Sequence, residues 1–290
     1  MSPFATIVGA SGFMGHALYS FLKKELPKEK IEGTYYSNHE DQRLDYLDIC
    51  DEDLLTEYLL KHRPVNLLLL AGSKNIQKCE QNYEFAYKIN TLPVAIILKT
   101  IKKYNLHTRL LFFSTDYVFD GEHGPFKEND LPNPNVNYGK TNYVAEKLLV
   151  NSGIDYNIIR TSAVIGRGAR FYDWLLNELT HSEHVEMFDD INFTPTPISL
   201  VCKIMLEFLK NTHIQEEHKI THLVGANHYS RYSFALELRK HITQSCCESI
   251  NPVKAPEIFQ KNLTMVQSGF INKCCNISIN DFFNEDLKYD

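Results

Sequence analysis

The chain has 290 residues and a net charge of −6, with 43% of its residues hydrophobic. That length holds one large domain or two modest ones. Its lysines and arginines are scattered and form no basic run of the kind that tracks a nucleic-acid backbone, and no apolar run approaches the ~20 residues of a membrane helix.

MSPFATIVGASG runs straight into a strand and a glycine turn, without the charged head, apolar core and cleavage site of a signal peptide. FATIVGA predicts a buried strand. HALYSFLKKEL follows as a helix with Leu18, Phe21 and Leu22 on one face. IEGTYYS is a second strand, and DEDLLTEYLLKH a helix with an acidic start. VNLLLLAG is a continuous apolar run before small residues, the pattern of a parallel strand covered on both faces. FAYKINTLPVAIILKTIKKY is helical, with Pro93 at an element boundary. RLLFFSTD is a strand, TNYVAEKLLVNSG a helix ending at Gly153, and YNIIRTSAVIG a further strand. This rhythm predicts an α/β fold, a Rossmann-type doubly wound parallel sheet.

After Gly166 the pattern loosens into helices (FYDWLLNELT, SLVCKIMLEFLK, RYSFALELRKHI), one short strand (ITHLVG) and proline-containing loops. The expectation is a sheet domain over residues 1–165 and a smaller, partly interleaved C-terminal lobe over 166–290. The seven cysteines include two adjacent doublets, Cys246-Cys247 and Cys274-Cys275. Neither has CxxC spacing, so they read as reduced thiols and not as metal ligands. A cytoplasmic protein with no membrane or nucleic-acid partner is expected.

GASGFMG lies between the first strand and the first helix, with Gly9, Gly12 and Gly15 in G-x-x-G-x-x-G spacing around Ser11, Phe13 and Met14. Glycines let the backbone turn tightly and approach a pyrophosphate, while the helix start offers oriented N–H groups to its charge. This predicts a dinucleotide site. Ala71 and Gly72, at the end of VNLLLLAG, join the cofactor-facing set, and Asp48 and Ile49 of LDYLDICD are expected to meet the adenine. The second strand runs into Tyr36-Ser37-Asn38-His39, with no acid until Glu40. An acid there would hold the ribose hydroxyls of NAD and repel the extra phosphate of NADP, so the sequence favours NADP(H), with NAD(H) left open. Arg43 is a candidate partner for that phosphate or a solvated surface residue.

The stretch FFSTDYVFDGEHGPFKENDLPNPNVNYGKT, Phe112 to Thr141, resembles dTDP-4-dehydrorhamnose reductases and their relatives in the extended short-chain dehydrogenase/reductase superfamily, a group that includes the β-subunit of methionine adenosyltransferase. The resemblance continues through RTSAVIG, FTPTPIS and HYSRYSFALEL, and weakens after about Pro252. It implies a Rossmann-type NADP(H) domain, a smaller nucleotide-sugar lobe, and hydride transfer to the C4 ketone of a deoxysugar nucleotide. Such chemistry needs a hydroxyl to hold the carbonyl oxygen as charge builds on it, and a phenol to protonate it. By resemblance Thr115 is the hydroxyl and Tyr138 the phenol.

The family places a lysine four residues after that phenol, and here the position is Asn142. Lys140 and Lys147 lie ~200° and ~180° around a helix from Tyr138, on the wrong face. Tyr143 and Lys147 form a literal Tyr-x-x-x-Lys pair, but Tyr143 projects ~140° from Tyr138. A packed tyrosine beside a solvated lysine is the plainer reading of that pair. Lys74, on the loop after VNLLLLAG, is a long-reach alternative or a surface lysine. Ala163 stands where rhamnose-pathway reductases commonly carry an aromatic, which implies a different substrate or a lost one. Arg167 and Arg170 are either diphosphate partners or surface residues. Three functions stay open: an NADPH-dependent reductase of a 4-keto-deoxysugar nucleotide with impaired or altered catalysis, a non-catalytic NADP-binding regulatory subunit or scaffold with a protein partner, and a related oxidoreductase or sugar-nucleotide modifier whose site is rearranged around Tyr143 and Lys147.

Overall fold

The computed structural model of the protein describes residues 2–37, 43–275 and 277–288. Asn38, His39 and Glu40, which bear on the choice between NADP and NAD, lie outside the described residues. In chain order the strands are β1 (Ala5–Val8), β2 (Ile31–Tyr35), β3 (Asp45–Tyr46), β4 (Asn66–Leu69), β5 (Arg109–Thr115), β6 (Tyr156–Thr161), β7 (Val164–Ile165), β8 (His184–Phe188), β9 (Asn192–Phe193), β10 (Thr196–Pro197), β11 (Ile220–His222), β12 (Tyr229–Ser230) and β13 (Ser249–Val253). The helices that matter below are α1 (Phe13–Glu25), α2 (Glu52–His62), α3 (Ile76–Gln81), α4 (Tyr83–Asn90), α5 (Leu92–Tyr104), α6 (Asn137–Val150) and α7 (Arg170–His181).

The chain divides into two compact units, one built from Met1–Phe119, Pro132–Arg160 and Met205–Thr221, the other from Asp120–Leu131, Thr161–Ile204 and His222–Asp290. The first unit carries a seven-stranded sheet in the order β11-β6-β5-β4-β1-β2-β3. The pairs β3–β2, β2–β1, β1–β4 and β4–β5 are parallel. This is the doubly wound α/β fold that the alternating sequence pattern predicts, with the order reversing at β1 and β4.

Every residue of β1 and of β4 is buried, as expected of strands covered on both faces. Helix termini follow local chemistry. Asp51 caps α2 by accepting a bond from the Leu54 amide at 3.0 Å, and Arg63 closes it with φ 47°. Thr91 separates α4 from α5, and Pro93 sits in the first turn of α5, where its missing N–H leaves no helical bond unmade.

Three differences from the sequence pattern bear on the site, beyond the short strands β3, β8, β9, β10, β12 and β13 that the pattern did not mark. YNIIRTSAVIG is two strands, β6 and β7, interrupted at Ser162-Ala163, because β7 pairs with β10 instead of extending the large sheet. α6 begins at Asn137, four residues before the apolar repeat that marks it, so Tyr138 is helical. α3 is a short helix that carries little apolar pattern and depends on Asn75 accepting from the Lys78 amide at 3.0 Å.

The second unit holds three two-stranded pairs: β7 with β10, β9 with β12, and β8 with β13. Its core is aromatic. Phe234 packs edge-on against Phe193 at 5.4 Å and Phe283 at 5.7 Å, and the Arg231 guanidinium lies 3.9 Å from the Phe193 ring centre and 4.2 Å from that of Phe171. Among the described residues no helix is long and apolar enough to cross a membrane.

Candidate active site

The carboxyl ends of the parallel strands form one edge of the sheet, and the candidate residues of the first unit gather there. The glycine turn follows β1. Gly9 has φ 92°, a left-handed conformation that favours glycine, and a Cβ on it would lie 3.0 Å from the Ala71 amide nitrogen. A Cβ on Gly15 would sit 2.1 Å from the Gly9 carbonyl oxygen. The turn therefore closes on itself only with glycine at both positions, and it brings Gly9 against Ala71.

Gly12 is the N-cap of α1. No side chain caps that helix, and its first turn holds no acid. The backbone N–H groups there are left for an anion, which suits a dinucleotide pyrophosphate. Ser11 and Phe13 are partly exposed, Gly12 and Gly72 are exposed, and Met14 is buried beneath them. Asp48 is partly exposed, and its Oδ1 accepts from the Cys50 amide at 2.8 Å. Ile49 belongs to the hydrophobic core with Leu47, Leu55 and Leu59 and is 8% exposed, so little of it is left to meet a ligand.

At β5 the strand ends on Thr115, which is buried, and a 3-10 turn over Asp116–Val118 follows. The Thr115 hydroxyl accepts from the Tyr117 amide at 3.2 Å and donates to Asp116 Oδ1 at 3.0 Å. Tyr138 is in the first turn of α6, partly exposed, with the Tyr117 ring edge-on at 5.6 Å. Burial pushes its phenol above the ordinary tyrosine value, the nearby Thr115 hydroxyl pulls the other way, and Asp116 and Tyr117 add to the rise. Gly139 explains the glycine in YGKT: a Cβ there would fall 1.9 Å from the Tyr117 carbonyl oxygen. Only glycine lets the first turn of α6 approach the turn after β5 so closely.

Asn142 is 6% exposed, and its amide donates to the Tyr138 carbonyl at 2.8 Å, one turn back on the same helix. The Asn142 side chain thus turns one of its N–H donors to its own helix backbone. It brings no charge to Tyr138. Lys140 is exposed. Lys147 is exposed too and lies 4.8 Å over the Tyr143 ring, a cation–π pair. Lys74 is accessible, and the surrounding protein desolvates its ammonium and lowers its pKa. In the second unit, Arg167 is 3.8 Å from Asp286, Arg170 is an exposed first residue of α7, and the Ala163 carbonyl accepts from the Thr196 amide at 2.9 Å. Arg43 is exposed at the end of the first unit's sheet where β3 begins.

Sequence reasoning missed the residues that tie this corner together. Asn90 ends α4, accepts from the Ser73 amide at 2.8 Å and donates to the Thr141 hydroxyl at 3.4 Å, linking the loop after β4 to α6. The Thr91 hydroxyl donates to the Thr141 carbonyl at 2.7 Å. The Asn137 side chain donates to the Cys79 carbonyl at 3.3 Å, and its amide donates to Glu80, holding the start of α6 on α3. A polar pair closing an otherwise apolar helix, as in KINT, was the available signal. Beneath α6, Ser114, Glu146 and Arg160 form a buried hydrogen-bonded group that sequence alone marks as surface charge.

The parallel sheet and the glycine turn form a Rossmann-type unit of the kind that binds NAD(P). Residues 5–263 match the RmlD substrate binding domain family, and the chain belongs to it. It is 26% identical to dTDP-4-dehydrorhamnose reductase of Aggregatibacter actinomycetemcomitans over 86% of this chain and 83% of that one. A probable low-salt glycan biosynthesis reductase of Haloferax volcanii is 29% identical over 71% and 70%. Methionine adenosyltransferase 2 subunit beta of Xenopus tropicalis is 26% identical over 66% of this chain but 53% of its own length. Among solved structures, the dTDP-4-dehydrorhamnose reductase of Bacillus anthracis in complex with NADP superposes with a TM-score of 0.83 at 20% identity, covering 100% of both chains.

Proposed function

We propose that this protein is an NADPH-dependent reductase of a 4-keto-deoxysugar nucleotide that works with an uncharged residue in place of the usual lysine. The single observation that carries this reading is the placement of the Tyr138 phenol, in the first turn of α6, beside the Thr115 hydroxyl at the carboxyl end of β5. Family membership and the glycine turn support the cofactor; the names of the Aggregatibacter and Haloferax relatives support the substrate class.

The residues that would hold the cofactor are the turn Gly9 to Gly15 and the loop Ala71-Gly72. The bound dinucleotide would supply hydride to the substrate carbonyl. Thr115 would then donate a hydrogen bond to the carbonyl oxygen as negative charge develops there. Tyr138 would give that oxygen its proton. Because its pKa is raised, the phenol keeps its proton throughout the neutral range, the right state for an acid in the direction of reduction. Asn142 orients the first turn of α6 through the Tyr138 carbonyl. The phenolate that proton donation leaves on Tyr138 would have no cation at position 142 and would take its proton back from solvent, so slow turnover is expected.

The test is NADPH oxidation with a panel of 4-keto-deoxysugar nucleotides, comparing the natural protein with Tyr138→Phe. Turnover that requires Tyr138 supports the reading. NADPH binding without turnover on any member supports a regulatory subunit instead, for which the neutral Asn142 is the favouring observation.

A further inference from the structure

We propose that Ser114, Glu146 and Arg160 form a buried positioning cluster that sets the register of α6 against β5 and β6, and so the alignment of Tyr138 with Thr115. The catalytic part of this inference rests on the reductase reading above; the structural part does not.

Arg160 and Glu146 are each 2% exposed, and Arg160 is among the largest fully buried side chains. Two ionised groups so far from water persist only when their bonding positions are filled. Here they are filled from three elements. The Arg160 Nε donates to Glu146 Oε1 at 3.0 Å and its Nη2 to Oε2 at 2.8 Å, a two-pronged contact. The Ser114 hydroxyl donates to Oε1 at 2.5 Å. The guanidinium also lies 5.2 Å from the Phe119 ring centre.

Each member is close in sequence to a residue of the site or its frame. Ser114 immediately precedes Thr115 on β5. Glu146 follows Asn142 by four residues and Tyr138 by eight, so the three share one side of α6, drifting only ~40° per four residues. Arg160 is the penultimate residue of β6.

Stability alone does not account for such a group, since well-packed apolar side chains of similar volume commonly serve as well or better. Geometry does. Leucine against leucine tolerates a slide of a fraction of a turn; a guanidinium fork on a carboxylate that also accepts from a serine does not. The other end of α6 is pinned as well, by Gly139 against the Tyr117 carbonyl and by Asn137 on α3. Tyr138 lies between the two pins. With no cation at position 142, alignment is the means left for making the phenol effective.

The test uses two variants. The double variant Glu146→Leu with Arg160→Met keeps the volume and removes the fork. Ser114→Ala removes one hydrogen bond and leaves the ion pair, and it answers the question should the double variant fail to fold. Four quantities are read on the full chain: melting temperature, NADPH affinity, kcat against KM for the panel substrate, and amide hydrogen exchange over residues 137–142. The proposal expects a melting temperature equal to or above that of the natural protein in the double variant and NADPH affinity within ~3-fold. It also expects faster exchange in 137–142, and kcat lowered ~10-fold or more at unchanged KM. Ser114→Ala should show the same pattern at a smaller size. A folded variant with unchanged exchange in 137–142 overturns the positioning role, and faster exchange with unchanged kcat overturns its catalytic consequence. If the natural protein turns over no substrate, the reductase reading fails on its own, and the exchange measurement still decides whether the cluster sets the register of α6.

Discussion

Two corners of the first unit sit at the same edge of one sheet and treat their family pattern in opposite ways. At the glycine turn after β1 every constraint is kept: Gly9 and Gly15 are each at a position where a Cβ would strike backbone or a close neighbour. At the start of α6 the frame is set by Thr115, Tyr138 and Gly139, while position 142 carries a neutral side chain that donates to a helix carbonyl. The contrast separates two requirements. Steric conditions for binding a dinucleotide and placing a phenol are local and absolute. Tuning of that phenol is electrostatic and can be weakened without disturbing the fold.

The comparison can be broken most severely at the phenol itself. Tyr138→Phe removes the proton donor and nothing from the glycine turn, so NADPH oxidation should fall ~100-fold or more while NADPH affinity, read by fluorescence, stays the same. Gly15→Ala attacks the other corner. Its Cβ would meet the Gly9 carbonyl at 2.1 Å, and the expected result is loss of NADPH binding, measured by calorimetry. Asn142→Lys should sharpen the contrast: it restores a cation one turn from the phenol, and we expect a ~10-fold gain in kcat with unchanged NADPH affinity.

The pH dependence follows with its sign. Tyr138's folded-state pKa is raised, so in the natural protein the acid form persists through neutral and moderately alkaline pH, and kcat for reduction should show no alkaline fall below the ordinary tyrosine range. In Asn142→Lys the lysine lowers that pKa, and an alkaline limb should move into the measurable range. The smallest effect lies at the opposite edge of the sheet. Asp155 is held below the usual carboxylate value; burial opposes this, and bonds from Arg109 and Lys219 outweigh it. A depressed carboxyl contributes stability that is present above its unfolded pKa and lost as pH falls through the folded one. Asp155→Asn should therefore lower the melting temperature slightly at neutral pH, the pair being partly exposed, and leave the acid end, where the carboxyl is already protonated, nearly unchanged.

How far these features could be read from the sequence depended on whether their cause was local. VNLLLLAG announces a doubly covered strand by its composition, and GASGFMG announces its turn because glycine is demanded by backbone alone. Pro93 and Asp51 mark helix starts for equally local reasons. The words STD and YGKT located Thr115 and Tyr138 before any contact was visible. The reach of α6 back to Asn137 was not legible, since VNYG carries no apolar repeat and is held in the helix by α3. Ile49, expected at the adenine from its place in LDYLDICD, packs its side chain in the core, which leaves its backbone as the part that could face a ligand. Glu146 and Arg160 were missed because isolated charges in a sequence ordinarily mean solvent, and only the fold brings them together and buries both.

The most direct test of the central claim, that Tyr138 acts as the acid without a neighbouring lysine, is single-turnover NADPH oxidation by the natural protein, Tyr138→Phe and Asn142→Lys on the same 4-keto-deoxysugar nucleotide. The account predicts slow turnover by the natural protein, none with Tyr138→Phe, and faster turnover with Asn142→Lys. Turnover that survives Tyr138→Phe, or that appears only with Asn142→Lys, would contradict it.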